Sequence, residues 1–154
     1  MRGIAIMLCV SLPLVAADLY VKATEPTPDW AYHDRSLGWL ALSIALFGGM
    51  VLIARIPSLS VAVAAGLLAG GLMGNGLSAA GNQMEVPNPL VLTVGGGVVA
   101  FNPADVFALA GICALVLTLG TWLIRGRHLR PATSGPGRDL NLDTTSTGPD
   151  VDRV

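Results

Sequence analysis

The sequence predicts an all-α membrane protein: a four-transmembrane-helix bundle with a small extracytoplasmic β-hairpin and a disordered C-terminal tail. Two observations carry this prediction. Of the 154 residues, 53% are hydrophobic and only 12% are charged, whereas about a quarter of the residues in a soluble domain are charged. The apolar residues also fall in long runs, which a soluble domain of this size could not hide from water.

Four apolar runs are each close to the ~20 residues that an α-helix needs to cross ~30 Å of hydrocarbon. Backbone polar groups in lipid must be paired within their own element, so each run is predicted to be a helix. The predicted spans are residues 3–21, 37–54, 59–80 and 104–124. Cys9 and Cys113 lie inside these runs, and we expect them to be small buried hydrophobes rather than a disulfide or metal ligands.

The first run has a second interpretation. Arg2, the apolar stretch after it and the small residues 15–17 before Asp18 are also typical of a secretory signal with its cleavage site. Three further spans follow, and their topology needs an anchored start. The sequence therefore favours a membrane-anchored first helix.

Basic residues predict the direction of the spans. If the chain crosses the membrane four times, one side receives Arg2, Arg55, Arg125, Arg127 and Arg130. The other side receives Lys22 and Arg35, and their positive charge is offset there by four acidic residues: Glu25, Asp29, Asp34 and Glu85. Positive charge accumulates on the cytoplasmic side, so both termini are predicted to be cytoplasmic.

The chain divides into a membrane domain, residues 1–130, and a tail, residues 131–154. The tail is rich in Pro, Gly, Ser, Thr and Asp, and it cannot bury enough apolar area to offset its chain entropy. We therefore expect a disordered cytoplasmic tail. The net charge of −1 indicates no attraction to nucleic acid, which leaves membrane lipids as the expected surroundings.

Two loops lie on the predicted outer side. Residues 23–36 form a short polar loop, where His33 and Asp34 are expected in a solvated turn. Residues 81–103 contain two β-prone stretches, LVLTV and VVAF, separated by three glycines. This pattern predicts a hairpin of residues 90–94 with 98–101 at the membrane surface.

Polar residues from three spans are predicted to meet at one depth near the outer surface. They are Asp18 and Lys22 in span one, Asn75 and Ser78 in span three, and Asn102 and Asp105 at the start of span four. Polar groups at membrane depth are costly and usually face the bundle interior. The sequence therefore predicts a polar pocket between these spans. Glycines 66, 70 and 74 form a ladder of small residues that would allow a neighbouring helix to approach closely.

Structural roles also explain these residues. Asp18 and Lys22 have the spacing and order of a local ion pair, and Asn75 could join helices without any chemistry. In the tetrapeptide at 102–105, Asn102 fits an N-cap, and Asp105 could bond back to the Asn102 amide. We expect no metal and no cofactor, because one His without a second His or a Cys nearby makes a poor metal site.

Three short blocks resemble the signature blocks of lipoprotein signal peptidase (signal peptidase II). They are DLYVK at 18–22, GLMGN at 71–75 and FNPAD at 101–105, on spans one, three and four. The resemblance implies an aspartic endopeptidase of the bacterial plasma membrane. Members of that family cut a prolipoprotein signal peptide just before a cysteine that carries diacylglycerol.

The resemblance also implies which residues act. One family aspartate matches Asp105. The other lies in a G-N-x-x-D-R pattern, and at its position this chain has Ser78, followed by Ala79. Aspartic proteolysis needs two carboxyl groups that share a proton, and a serine hydroxyl cannot serve as the base near neutral pH.

Three functions remain open. The first is a catalytically impaired relative that binds a lipid-modified or signal-like helix without cutting it, and the incomplete pair favours this one. The second is a working peptidase with an unorthodox second acid: Asp18, Asp34 or Glu85. The third is an unrelated helical membrane protein whose polar residues are structural only.

Overall fold

The computed structural model describes residues 1–128 of the chain, with side chains for residues 1–124. The predicted tail, residues 131–154, lies outside this range. The described residues form α-helices and two small antiparallel sheets. The helices are α1 (Arg2–Thr24), α2 (Leu37–Ile53), α3 (Leu59–Gly81) and α4 (Pro103–His128). The strands are β1 (Tyr32–Asp34), β2 (Glu85–Pro87), β3 (Leu90–Val94) and β4 (Gly97–Phe101).

All four predicted helices are present, and three of them are long and apolar enough to cross a membrane. These are Arg2–Thr24, Leu59–Gly81 and, within α4, Pro103–Ile124. Helix α2 is also apolar but has only 17 residues, which extend about 25 Å at 1.5 Å per residue. The structure therefore shows a helical membrane protein with three candidate spans, and α2 is the shorter fourth helix.

Helix α3 is the centre of the bundle. In its most apolar stretch 56% of the residues are buried, against 22% in α1 and 11% in α4. It contacts each of the other helices, and most extensively α1 and α4. Small residues allow this approach: a Cβ at Gly66 would lie 2.9 Å from the carbonyl oxygen of Met7, and one at Gly70 would lie 3.0 Å from Cβ of Leu14. The predicted glycine ladder is therefore the surface on which α1 packs.

The two cysteines correct a prediction. Cys9 and Cys113 are free thiols, as expected, but both are exposed rather than buried. An apolar run usually indicates a core in a soluble protein. In a membrane bundle the outward faces of the helices are apolar as well, so an apolar run does not tell which face a residue occupies.

The predicted hairpin is present as β3 and β4. Leu90 pairs with Phe101 and Val94 pairs with Gly97, which leaves Gly95 and Gly96 as a two-residue turn. Both glycines have positive φ, +58° and +82°, as a type I′ turn requires. The exposed side chains of this hairpin, Val91 and Val99 among them, are largely apolar.

Strands β1 and β2 form a second sheet that the sequence did not predict. Tyr32 pairs with Pro87 and Asp34 pairs with Glu85, so the two outer loops are joined. The prediction of a solvated turn at His33 and Asp34 is therefore wrong, although both residues are exposed. Three-residue strands are too short to show a hydrophobic alternation, which is the signal by which strands are found in a sequence.

Candidate functional site

A chain of hydrogen bonds links α1, α3 and α4 at the end of the bundle where the two sheets lie. Lys22 Nζ donates to Asp18 Oδ2 at 2.7 Å and to Asn75 Oδ1 at 2.8 Å. Asn75 Nδ2 then donates to Asp105 Oδ1 at 2.8 Å. The structure thus brings together residues that the sequence placed at one depth on three different helices.

Asp18 ties α1 to the first turn of α4. Its side chain is fully buried, and Oδ1 accepts a hydrogen bond from the backbone N–H of Ala104 at 2.9 Å. The first N–H groups of a helix lack partners within the helix, and a carboxylate there is also stabilised by the helix dipole. Gly74 makes room for this contact, because a Cβ at that position would lie 2.7 Å from Asp18 Oδ2.

Lys22 fixes the orientation of Asn75. An ammonium group can only donate, so it must face the amide oxygen of Asn75, and this turns the NH₂ group towards Asp105. The Lys22 side chain is 4% exposed and the Asn75 residue 6%. The predicted local ion pair of Asp18 with Lys22 is present, and it also orients the amide on α3.

Asn102 and Asp105 form the predicted cap at the start of α4. The Asp105 N–H donates to Asn102 Oδ1 at 3.1 Å, and the Asn102 N–H donates to Asp105 Oδ2 at 3.2 Å. Each carboxylate oxygen of Asp105 therefore accepts one hydrogen bond, from Asn75 and from Asn102. Asn102 is fully buried, whereas Asp105 is half-buried, so Asp105 is the more accessible residue of this cap.

Ser78 lies on α3, one turn beyond Asn75, and is 9% exposed. Within the described part of the chain its hydroxyl makes no hydrogen bond to the cluster. The structure thus places Ser78 on the expected helix, near the level of the cluster, but outside the bonded network. Its position is buried, and its side chain is not required by any polar partner among the described residues.

The sequence interpretation missed one buried polar residue, Asn88, and its contact with His33. Asn88 is 1% exposed; its Oδ1 accepts a hydrogen bond from Asn102 Nδ2, and its Nδ2 lies 2.6 Å from His33 Nδ1. Its backbone N–H donates to the carbonyl of Ala31 at 3.2 Å. An exposed histidine on β1 is therefore connected through two buried amides to the cap that holds Asp105.

Replacing Asn88 with leucine is expected to destabilise the protein by about 1–3 kcal/mol, because the buried Asn102 amide loses its short hydrogen bond to Asn88 and keeps only a long one to the Pro87 carbonyl. His33→Ala removes only the exposed end of the same chain, where water can take the place of the ring nitrogen beside Asn88 Nδ2, so it should cost well under half as much. Denaturant titration of both variants in detergent micelles measures the difference. Equal losses would mean that the Asn88–Asn102 bond does not matter for the cap.

The remaining carboxylates of the outer loops do not enter the cluster. Asp34 and Glu85 pair across β1 and β2 and are exposed, and neither makes a side-chain hydrogen bond to it in the described part of the chain. Arg35 lies beside them, with its guanidinium 4.8 Å from the centre of the Trp39 ring. Among the described residues, the cluster therefore contains only two carboxylates, Asp18 and Asp105.

The fold and this cluster define a class: a helical membrane protein with converging polar side chains at one end of the bundle. No family model and no curated protein matches the sequence. A solved structure of a bacterial membrane enzyme, determined by the in meso method, is similar, with a TM-score of 0.60 and 18% identity over 77% of this chain and 90% of that one. At this identity the likeness shows that the two share a fold.

Proposed function

We propose that this chain is a plasma-membrane protein of the signal peptidase II type that binds a lipid-modified signal helix and does not cleave it. Two independent lines support the kinship: the blocks that end at Lys22, Asn75 and Asp105 stand in the family's order, and the fold resembles that of a bacterial membrane enzyme. Side chains of the three blocks bond to one another and hold three helices together. A protein that binds a ligand without cutting it would therefore still need all three blocks.

We also propose that all four helices span the membrane, with both termini in the cytoplasm. The 17 residues of α2 lie at the lower limit of about 17–25 residues for a spanning helix. Arg55 follows it at one end and Arg35 precedes it at the other. In this orientation the polar cluster and both sheets face the extracytoplasmic side, where a signal helix emerges from the bilayer.

The observation that carries the loss of cleavage is that Asp105 has no available carboxyl partner among the described residues of the cluster. A peptidase of this kind needs one carboxylate as a base and one carboxylic acid as a donor, close enough to share a proton. The other carboxylate of the cluster, Asp18, has one oxygen on Lys22 and the other on the Ala104 amide. Both oxygens of Asp18 are therefore already used, and one of them holds α1 against α4. Ser78, at the other family position, has no carboxyl group. Asp105 then acts as a hydrogen-bond acceptor for the backbone of a bound peptide.

Crosslinking combined with a cleavage assay tests this proposal. A signal peptide that carries diacylglycerol on its cysteine and a photoreactive group in its apolar segment is expected to crosslink to the purified protein and to remain uncut. The same peptide without the lipid is the matched control and should crosslink several-fold less.

Two results would contradict the proposal in different ways. A shorter product that disappears in Asp105→Asn would show a working peptidase with an unorthodox second acid. Equal crosslinking of the lipidated and unlipidated peptides would remove the reason to assign a signal helix as the ligand, and would leave the polar residues with a structural role only.

A further inference from the structure

A cavity lies at the opposite end of the bundle from the polar cluster. It has a volume of about 510 Å³ and is bounded by the start of α1 and by the turn between α2 and α3. Arg2 and Arg55 line it together with Ile6, Ile56, Ser58 and Leu59. None of these residues takes part in the cluster around Asp105, so the cavity needs a separate explanation.

The charge of this cavity has one sign. Two guanidinium groups line it and no carboxylate does. In the described part of the chain neither Arg2 nor Arg55 forms an ion pair, since the ion pair found there joins Lys22 to Asp18. The hydroxyl of Ser58 is already used, because it accepts from the Val61 N–H and contacts the Ser60 hydroxyl at 3.0 Å. The arginines are the groups that could recognise a ligand.

The two arginines are held close to each other by backbone packing. Gly3 is in contact with the carbonyl group of Ala54, so closely that a Cβ at Gly3 would overlap it. Ala54 is fully buried in this contact. The residues next to these two are Arg2 and Arg55, so their positions are set by the packing of α1 against the α2–α3 turn. A ligand would therefore meet two arginines whose backbones are already held next to each other.

The rest of the lining is apolar and lies at the ends of membrane helices. Ile6, Ile56 and Leu59 line the cavity beside the arginines, and Leu59 is 67% exposed. Helix ends of spanning length lie at the level of the lipid headgroups. Guanidinium groups bind phosphate oxygens in pairs of parallel hydrogen bonds, and basic pockets between helices at this level suit anionic headgroups.

From this combination we infer that the cavity between Arg2 and Arg55 binds an anionic phospholipid. The two arginines hold its phosphate, and the three apolar side chains contact the beginning of its acyl chains. A free phosphate ion would use the arginines but gain nothing from the apolar lining. The inference does not depend on which side of the membrane carries this end, and it is independent of the function proposed above.

Native mass spectrometry of the full chain tests the inference. The protein is released from micelles that contain equal amounts of phosphatidylglycerol and phosphatidylcholine, and the bound lipids are counted. Each arginine near an anionic lipid surface is worth about a fivefold change in affinity, so Arg2→Gln/Arg55→Gln should bind phosphatidylglycerol about 25-fold more weakly. Arg2→Lys/Arg55→Lys, which keeps both charges, should recover most of this loss.

Arg35→Gln is the matched control, because it removes one positive charge at the other end of the helices. It should retain phosphatidylglycerol as well as the unchanged protein does. The inference fails if the Gln double variant binds phosphatidylglycerol normally, if the unchanged protein shows no preference over phosphatidylcholine, or if millimolar inorganic phosphate displaces the lipid completely.

Discussion

Ser78→Asp is expected to create cleavage of a lipid-modified prolipoprotein, which we expect the unchanged protein to leave uncut. The substitution places a second carboxyl group on α3, one turn beyond Asn75. Asn75 itself donates a hydrogen bond to Asp105, so the new carboxyl group would lie on the helix that already contacts Asp105. A positioned acid or base contributes about 10²–10⁴-fold to a rate, so product should rise at least about a hundredfold above the background of the unchanged protein. Gel separation of the precursor from the shorter product measures it.

Two controls define what a gain of activity means. Ser78→Asn has nearly the same size as the aspartate variant but no acid, and it should remain inactive. Ser78→Asp combined with Asp105→Asn should lose the new activity, because one carboxyl group would again be alone. If Ser78→Asp folds with an unchanged melting temperature and still gives no product, the proposed kinship with signal peptidase II loses its main chemical support.

Lys22→Met is expected to destabilise the protein by about 3–5 kcal/mol, because it leaves a buried carboxylate without its counter-ion. Asp18 is fully buried and its ammonium partner lies 2.7 Å away. The substitution also removes the donor that orients Asn75. Denaturant titration in micelles, with helical circular dichroism as the signal, measures the free energy of unfolding.

The double variant Asp18→Asn/Lys22→Met separates the charge effect from loss of packing. With the carboxylate gone, most of the stability should return, since the amide oxygen introduced in place of the carboxylate can still accept from the Ala104 N–H. Arg55→Met removes an exposed cation, and it should change stability by about 0.5 kcal/mol or less. A loss in Lys22→Met no larger than that in Arg55→Met would show that the ion pair is not important for the fold.

The helices and the convergence of their polar residues could be predicted from the sequence. Long apolar runs fix helix positions because lipid offers no partner to the backbone. Successive helices run in opposite directions across the bundle. The C-terminal ends of α1 and α3 therefore lie beside the N-terminal end of α4. The sequence therefore predicted that Asp18, Asn75 and Asp105 meet, and the NPAD tetrapeptide predicted the cap of α4 by itself.

The parts that could not be predicted depend on contacts between distant loops. Asn88 and His33 are 55 positions apart, and only the pairing of β1 with β2 makes them neighbours. The sequence also could not tell that Lys22 bonds to Asn75 as well as to Asp18. Side-chain spacing within one helix reveals local pairs, whereas the rotation of one helix against another is decided by packing at glycines such as Gly74.

The pairing of Asp18 with Lys22 also has a consequence for biogenesis. Asp18 is synthesised 86 residues before Ala104, whose amide it finally binds. If α1 enters the bilayer before α4 has been synthesised, an isolated charge on α1 would be expensive there. The lysine one turn later neutralises the aspartate as soon as α1 forms. With that order of insertion, the pair of Asp18 and Lys22 would carry no net charge in the lipid, and Asp18 would form its bond to the Ala104 amide only when α4 packs beside it.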